Sequence, residues 1–279
     1  MPLTHADIDA VCGLVLDLCG VYLDESKSYL IENRLADLVQ RAECSDYVQL
    51  ARKARLGSIE LKTEIVNAIT TTETHFFRDA TPFDALQHKA VPELVDARAG
   101  SLQPRRLRIW SAACSTGQEP YSIAMTLCDL LPDIHDWDIS ILATDVADDV
   151  VQTASRGVYR KLDIERGMNP NLLRKYFIAE GDRWRVSDEL RSLIHFQRLN
   201  LLHAFGHLGP FDIVFCRNVA IYFTPESRTD LFERVRGVLR PDGYLFVGST
   251  ELLGDLGPAF SPHHHCRATF YRPNQPTST

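Results

Sequence analysis

The sequence predicts an α/β protein with a doubly wound, mostly parallel sheet, an all-helical N-terminal domain and a small inserted β-containing subdomain. Three observations lead there. Up to about residue 70 the apolar residues recur at helical spacing with no strand pattern. From Leu107 short apolar runs alternate with amphipathic segments, the signature of a parallel sheet wound with helices. One stretch between two such runs is too long for a simple connection and carries its own apolar residues.

Taken in order, helices are expected near 4–19, 26–42, 45–55 and 58–69. The second is the clearest, with Leu30, Ile31, Leu35, Leu38 and Val39 on one face, and Asp24-Glu25-Ser26 offers it capping side chains. Residues 1–70 are thus read as a helical domain. Within TTTETHFFRD, Thr70 and Glu73 have capping-box spacing, which predicts a helix running from there toward Val95 before ARAGSLQPRR breaks the pattern. Residues 71–106 are accordingly a linker helix and loop.

The sheet domain is expected over 107–279. RLRIWSAA reads as a strand, EPYSIAMTLCDLL as a helix, DISILATD as a strand and VADDVVQTAS as a helix. The insertion covers about 157–193, from GVYRK to DELRS. After it come IHFQRLNLL and FDIVFCRN, the helix PESRTDLFERVRGVL, the strand YLFVGST and a last strand near ATFYR.

Composition excludes several classes. A chain of 279 residues with a formal charge of −7 is not a general nucleic-acid binder. No apolar run reaches the roughly 20 residues of a membrane span, and no charged-then-apolar leader opens the chain, so a cytoplasmic protein without membrane insertion is expected. Seven cysteines, none spaced C-x-x-C, suggest neither a disulfide framework nor a zinc knuckle. No metal site is expected. His263-His264-His265-Cys266 carries metal-capable atoms, but adjacent side chains do not converge on one ion.

In a doubly wound sheet, ligands bind beyond the carboxyl ends of the strands, at the switch point between the halves. Polar residues stand at those ends. Strand 107–113 runs into CSTGQEP, with Gly117 in the turn and Glu119 at the start of the next helix. DISILATD ends in Asp145, placed to accept both hydroxyls of a ribose or to cap the following helix. FCRNVAIYF puts Arg217 and Asn218 inside an apolar run, so the strand is expected to stop at Cys216 with the pair facing a cleft or held in a structural ion pair. The lone Gly117 does not make the G-x-G-x-x-G of a dinucleotide site, which disfavours a nicotinamide-dependent dehydrogenase.

TTTETHFFRD, WSAACSTGQEPYSIAM, ATDV, RLNLL and GPFDIVFCRNVAIYF occur in one order, and with them the chain resembles the CheR family of chemotaxis-receptor glutamate O-methyltransferases over about residues 5–272. The resemblance implies S-adenosylmethionine as cofactor, S-adenosylhomocysteine as product, and methylation of glutamates on the helical cytoplasmic region of a receptor. Carried over by motif, cofactor contacts fall on Thr72, Thr74, Arg78, Glu119, Asp145, Asn200, Leu201, Arg217 and Asn218. Members commonly carry Asn where this chain has Thr72, and a hydroxyl replaces only part of an amide's hydrogen bonding. Arg78 and Glu119 suit the carboxylate and ammonium of the cofactor's amino-acid end.

No catalytic acid or base is expected, because a glutamate near pKa 4.3 is already ionised at neutral pH and is itself the nucleophile. Arg217 and Tyr222 are candidates for positioning the acceptor, although Tyr222 equally suits a core aromatic. Arg52, Lys53 and Arg55 on the third helix are either a solvated face or a surface that orients a glutamate-rich receptor bundle. A monomer is expected. Two other readings remain open at this stage: a cofactor-binding sensor or adaptor without turnover, and a methyltransferase acting on a receptor outside chemotaxis.

Overall fold

The computed structural model describes residues 3–57, 59–102, 105–251, 259–265 and 267–274. Four helices open the chain: α1 (His5–Cys19), α2 (Ser28–Arg41), α3 (Tyr47–Leu56) and α4 (Ile59–Ile69). They share a core of their own, to which α2 contributes Ile31, Leu35 and Leu38, spaced to lie on one face. The capping expected of Asp24 is not made: a 3₁₀ turn over Glu25–Lys27 leads into α2, and the Asp24 carboxylate accepts from the Ser26 hydroxyl instead.

The helix expected from Thr70 begins eleven residues later. Thr70 donates its hydroxyl back to the Val66 carbonyl at 2.9 Å, closing α4, and Glu73 pairs with Arg166 at 2.8 Å. Positive φ at Phe77, Asp79 and Ala80 excludes a helical path through this segment. Helix α5 (Thr81–Ala85) then continues through a π turn at Leu86–Ala90 into α6 (Val91–Arg98).

The sheet follows. Strand β1 (Arg106–Ala112) leads to α7 (Gln118–Leu130), β2 (Asp138–Asp145) and α8 (Asp148–Arg156). The insertion contains β3 (Val158–Arg160), α9 (Lys161–Glu165), α10 (Pro170–Tyr176), β4 (Phe177–Glu180), β5 (Arg183–Val186) and α11 (Asp188–Ser192), its strands forming a separate three-stranded sheet in the order β3-β5-β4. The chain returns through β6 (Ile194–Arg198), β7 (Phe211–Cys216), α12 (Pro225–Val238), β8 (Leu239–Phe246), β9 (Phe260–His265) and β10 (Ala268–Pro273).

These strands make a seven-stranded sheet in the order β6-β2-β1-β7-β8-β10-β9, parallel from β6 to β8 and antiparallel at β10 and β9. Around the central strands β1, β7 and β8 both faces are buried, so successive residues alternate between two cores. Ile109, Ile213, Phe215, Tyr244 and Phe246 face one; Trp110, Val214, Cys216 and Leu245 face the other. That explains why the strands read as continuous apolar runs. The histidine run, expected ahead of the final strand, is itself strand β9: His263 stacks on Phe270 at 5.6 Å and His264 meets the Thr269 hydroxyl at 3.1 Å.

Chain order sends β1 to β2 on one side and leaves β7 on the other, so the switch point lies between β1 and β7. Hydrogen bonds tie the helical bundle over this edge. Asn200 donates its amide to the Leu18 carbonyl at 2.7 Å, and the Tyr22 amide donates to the Tyr222 carbonyl at 2.7 Å.

Within the bundle, the buried Asp7 carboxylate caps two helices at once. It accepts from the Thr4 amide at 3.1 Å and from the Tyr47 and Val48 amides at 3.1 and 3.2 Å, joining the starts of α1 and α3. Burial pushes its pKa up, but the hydrogen bonds from Thr4, Val48 and Tyr47 together hold it below the ordinary value. A depressed folded-state pKa means that this contribution is present above the unfolded value and disappears as pH falls through the folded one. Asp7→Asn should therefore cost about 1–3 kcal/mol in urea unfolding at pH 7, and the difference from wild type should shrink as pH drops below about 4. A constant difference across that range would contradict the double cap.

Candidate functional site

A cavity of about 260 Å³ lies beyond the carboxyl ends of β1, β2 and β7, walled on its far side by the helical bundle. Of the residues singled out in the sequence, Thr74, Arg78, Glu119, Asp145, Asn200, Leu201, Arg217, Asn218 and Tyr222 line it together. Thr72 does not. Its side chain is exposed, and it contributes its carbonyl to the Ser115 hydroxyl at 2.9 Å.

The floor is an ion network around Arg217. The strand stops at Cys216, and the Arg217 side chain, 1% exposed, turns to meet three elements. One nitrogen donates to Glu119 Oε2 at 2.9 Å; another reaches the Asp79 carboxylate at 2.9 Å and the Arg78 carbonyl at 2.7 Å. Phe83 packs against the guanidinium, 5.7 Å from ring centre to Cζ. Glu119 Oε1 takes the Ser111 hydroxyl at 2.7 Å, so each oxygen of this cavity-lining carboxylate is fixed by one partner. The structural ion-pair reading of Arg217 is therefore the observed one, and it coexists with a place on the cavity wall.

Asp145 holds the β1–α7 turn. Its two oxygens accept the Ser115 amide at 2.9 Å and the Ala147 amide at 3.1 Å. Burial pushes its pKa up, against the pull of these amides and that of Val146. Gly117, at φ 96°, is needed in this turn because a Cβ would lie 2.8 Å from that of Ala154 and 2.9 Å from the Tyr159 hydroxyl. Tyr159 itself donates to the Thr116 carbonyl at 2.8 Å, and Phe76 packs edge-on against Tyr159 and Phe177. The insertion thus braces two walls of the cavity.

Other candidates are engaged away from the Arg217 network. Asn200 spends both ends of its amide internally, on the Leu18 carbonyl and the Leu202 amide at 3.0 Å. On α3, Lys53 donates to the Ala42 carbonyl and Arg55 pairs with Asp17 at 3.3 Å, while Arg52 is exposed. His75 has its pKa pushed down by burial and by the cations Arg166 and Arg78. Lys27, which the sequence motifs did not indicate, also lines the cavity from the bundle side, loosely paired with Asp24 at 3.8 Å. Among the described residues, no group of three or more His, Cys, Asp or Glu is arranged to hold a metal ion, and no helix is long and apolar enough to cross a membrane.

Residues 72–266 match the family described as CheR methyltransferase, SAM binding domain. The chain belongs to the CheR methyltransferase family. It is similar to chemotaxis protein methyltransferase 1 of Pseudomonas aeruginosa, 39% identical over 92% of this chain and 93% of that one. Chemotaxis protein methyltransferase Cher2 of Pseudomonas putida is 39% identical over 85% and 87%, and chemotaxis protein methyltransferase 1 of Vibrio cholerae 38% over 89% and 90%. This CheR-family protein is therefore an S-adenosylmethionine-binding methyltransferase with a Rossmann-like sheet.

The Arg217 network makes a prediction of its own. Arg217→Ala leaves Glu119 and Asp79 without their shared cation, which should cost about 3–5 kcal/mol in denaturant unfolding. Glu119→Gln added to that variant should recover part of the loss, since the two changes couple through one contact. A loss below about 1 kcal/mol, the size expected of an exposed pair, would mean that the network is not a structural element.

Proposed function

We propose that this protein transfers the methyl group of S-adenosylmethionine to glutamate side chains on the helical cytoplasmic region of chemoreceptors, forming methyl esters for sensory adaptation. The observation that carries the reading is one cavity at the switch point with Asp145 at the end of β2 and both Arg78 and Glu119 on its wall. A ribose diol suits the two oxygens of Asp145, and the amino-acid end of the cofactor suits a cation and a carboxylate. The names of the similar proteins support the chemotaxis role.

The transfer step balances without a protein base. A glutamate oxygen forms a bond to the methyl carbon as the bond from methyl to sulfonium sulfur breaks, and the electron pair stays on sulfur. A carboxylate and a sulfonium become a neutral ester and a neutral thioether, and no proton moves. The residues in this account bind and orient. Asp145 and Arg78–Glu119 hold the two ends of the cofactor, and Tyr222 and Arg217 border the space for the acceptor. Arg52, Lys53 and Arg55 offer positive charge to a glutamate-rich partner outside the cavity, with Arg52 the most free to do so.

The test is single-turnover methyl transfer to a purified receptor cytoplasmic fragment at saturating cofactor and acceptor. The rate should be nearly flat between about pH 6 and 8, and the label should leave as methanol in mild alkali. A histidine base would impose an inflection at about pH 6.5 or, for His75, below it, because burial and Arg166 lower its pKa. An alkali-stable product, or a titration that vanishes in His75→Gln, would overturn the mechanism.

A further inference from the structure

Glu251 stands just past β8, outside every motif discussed so far, yet it is only 5% exposed. Its carboxylate is the shared acceptor of four backbone amides. Oε2 takes Asn218 at 2.6 Å and Gly248 at 2.7 Å; Oε1 takes Val219 at 3.0 Å and Ile221 at 3.3 Å. A buried carboxylate is costly unless its lone pairs are filled, and amide bonds to a charged acceptor are the stronger kind. The consequence falls on the cavity, because Arg217, Asn218, Val219 and Tyr222 line it.

The loop needs such an anchor. Asn218 sits at φ 57°, a conformation uncommon outside glycine, and the next residues leave the strand direction for a 3₁₀ turn at Ala220–Tyr222. The far side of that turn carries the Tyr222 carbonyl that receives the Tyr22 amide, so the loop also ties the helical bundle to the sheet.

Gly248 supplies an independent sign of the same contact. A Cβ there would lie 2.5 Å from the Asn218 side-chain nitrogen and 2.7 Å from Glu251 Oε2. A side chain here would press on the groups that Glu251 draws together, the Asn218 amide nitrogen at 3.0 Å among them.

Resting on the reading of this cavity as the cofactor site, we propose that Glu251 is its positioning residue. It acts through the backbone of Asn218, Val219 and Ile221, touches no cofactor atom, and holds the wall formed by residues 217–222 in its binding geometry. Gly248 is small so that the clamp can close. The role requires a carboxylate, because glutamine offers one acceptor oxygen and turns an NH₂ group toward amides that are themselves donors.

The experiment is calorimetric titration of the full-length protein with S-adenosylhomocysteine, comparing wild type, Glu251→Gln and Gly248→Ala well below their unfolding temperatures. Both variants should bind the product about ten- to a hundredfold more weakly. A purely structural role would lower the unfolding temperature and leave affinity unchanged. Wild-type affinity in either folded variant overturns the proposal. If Glu251→Gln does not unfold cooperatively, Gly248→Ala decides, because it keeps the carboxylate and presses on its seat and on the Asn218 side chain beside it. Hydrogen exchange on the wild type gives a reading that needs no variant: the amides of Asn218, Val219 and Ile221 should be strongly protected without ligand, and exchange at exposed-loop rates would refute the clamp. Failure of the wild type to bind S-adenosylhomocysteine would refute the cofactor site instead, leaving the exchange result to judge Glu251 separately.

Discussion

The buried guanidinium of Arg217 is the constraint on which the site depends. Placing a charge with 1% exposure at the end of an apolar strand is unfavourable unless partners answer it; both terminal nitrogens of Arg217 are answered, while its Nε has no hydrogen-bond partner. Here the answers come from three parts of the chain: Glu119 on α7, Asp79 and a carbonyl before α5, and the face of Phe83. Pairing Arg217 therefore fixes the relative positions of the segment 71–80, the start of α7 and the loop after β7. Those are three of the walls of the cavity.

The remaining walls follow from similar satisfaction of buried acceptors. Asp145 ties the end of β2 to the turn after β1, Tyr159 of the insertion bonds that turn from outside, and Glu251 ties the end of β8 to the loop after β7. The helical bundle is joined through Asn200 and through the Tyr22–Tyr222 backbone bond. A site built this way is pre-organised, because the side chains and turns facing the cavity are already held by bonds to the protein. The proposed transfer to an already ionised carboxylate would ask for nothing more than such placement.

The sheet was legible because its strands are buried on both faces and read as apolar runs between amphipathic helices. Ile109, Val214 and Phe246 announce their strands without any tertiary information. The chemistry-bearing residues at strand ends were legible for the same reason, since Asp145 and Arg217 interrupt those runs. The path of residues 71–80 was not. Thr70 and Glu73 carry the spacing of a cap, but Thr70 bonds backward to α4 and Glu73 is claimed by Arg166, a partner 93 positions away. Glu251 was invisible because its partners are backbone amides, which leave no side-chain signature. The exposure of Thr72 and the internal use of Asn200 likewise depend on contacts with distant segments, where motif matching carries no geometry.

On the proposed reading, S-adenosylmethionine sits in the cavity at the switch point, held at the end of β2 and beside Arg78 and Glu119. Hydrogen exchange of the whole chain with and without saturating S-adenosylhomocysteine tests it most directly. The account predicts slowed exchange in the segments 71–78, 113–119, 145–147 and 217–223, which line or support the cavity, with the α3 surface unchanged. Protection concentrated elsewhere, or none in the turn after β1 and the residues after β2, would contradict it.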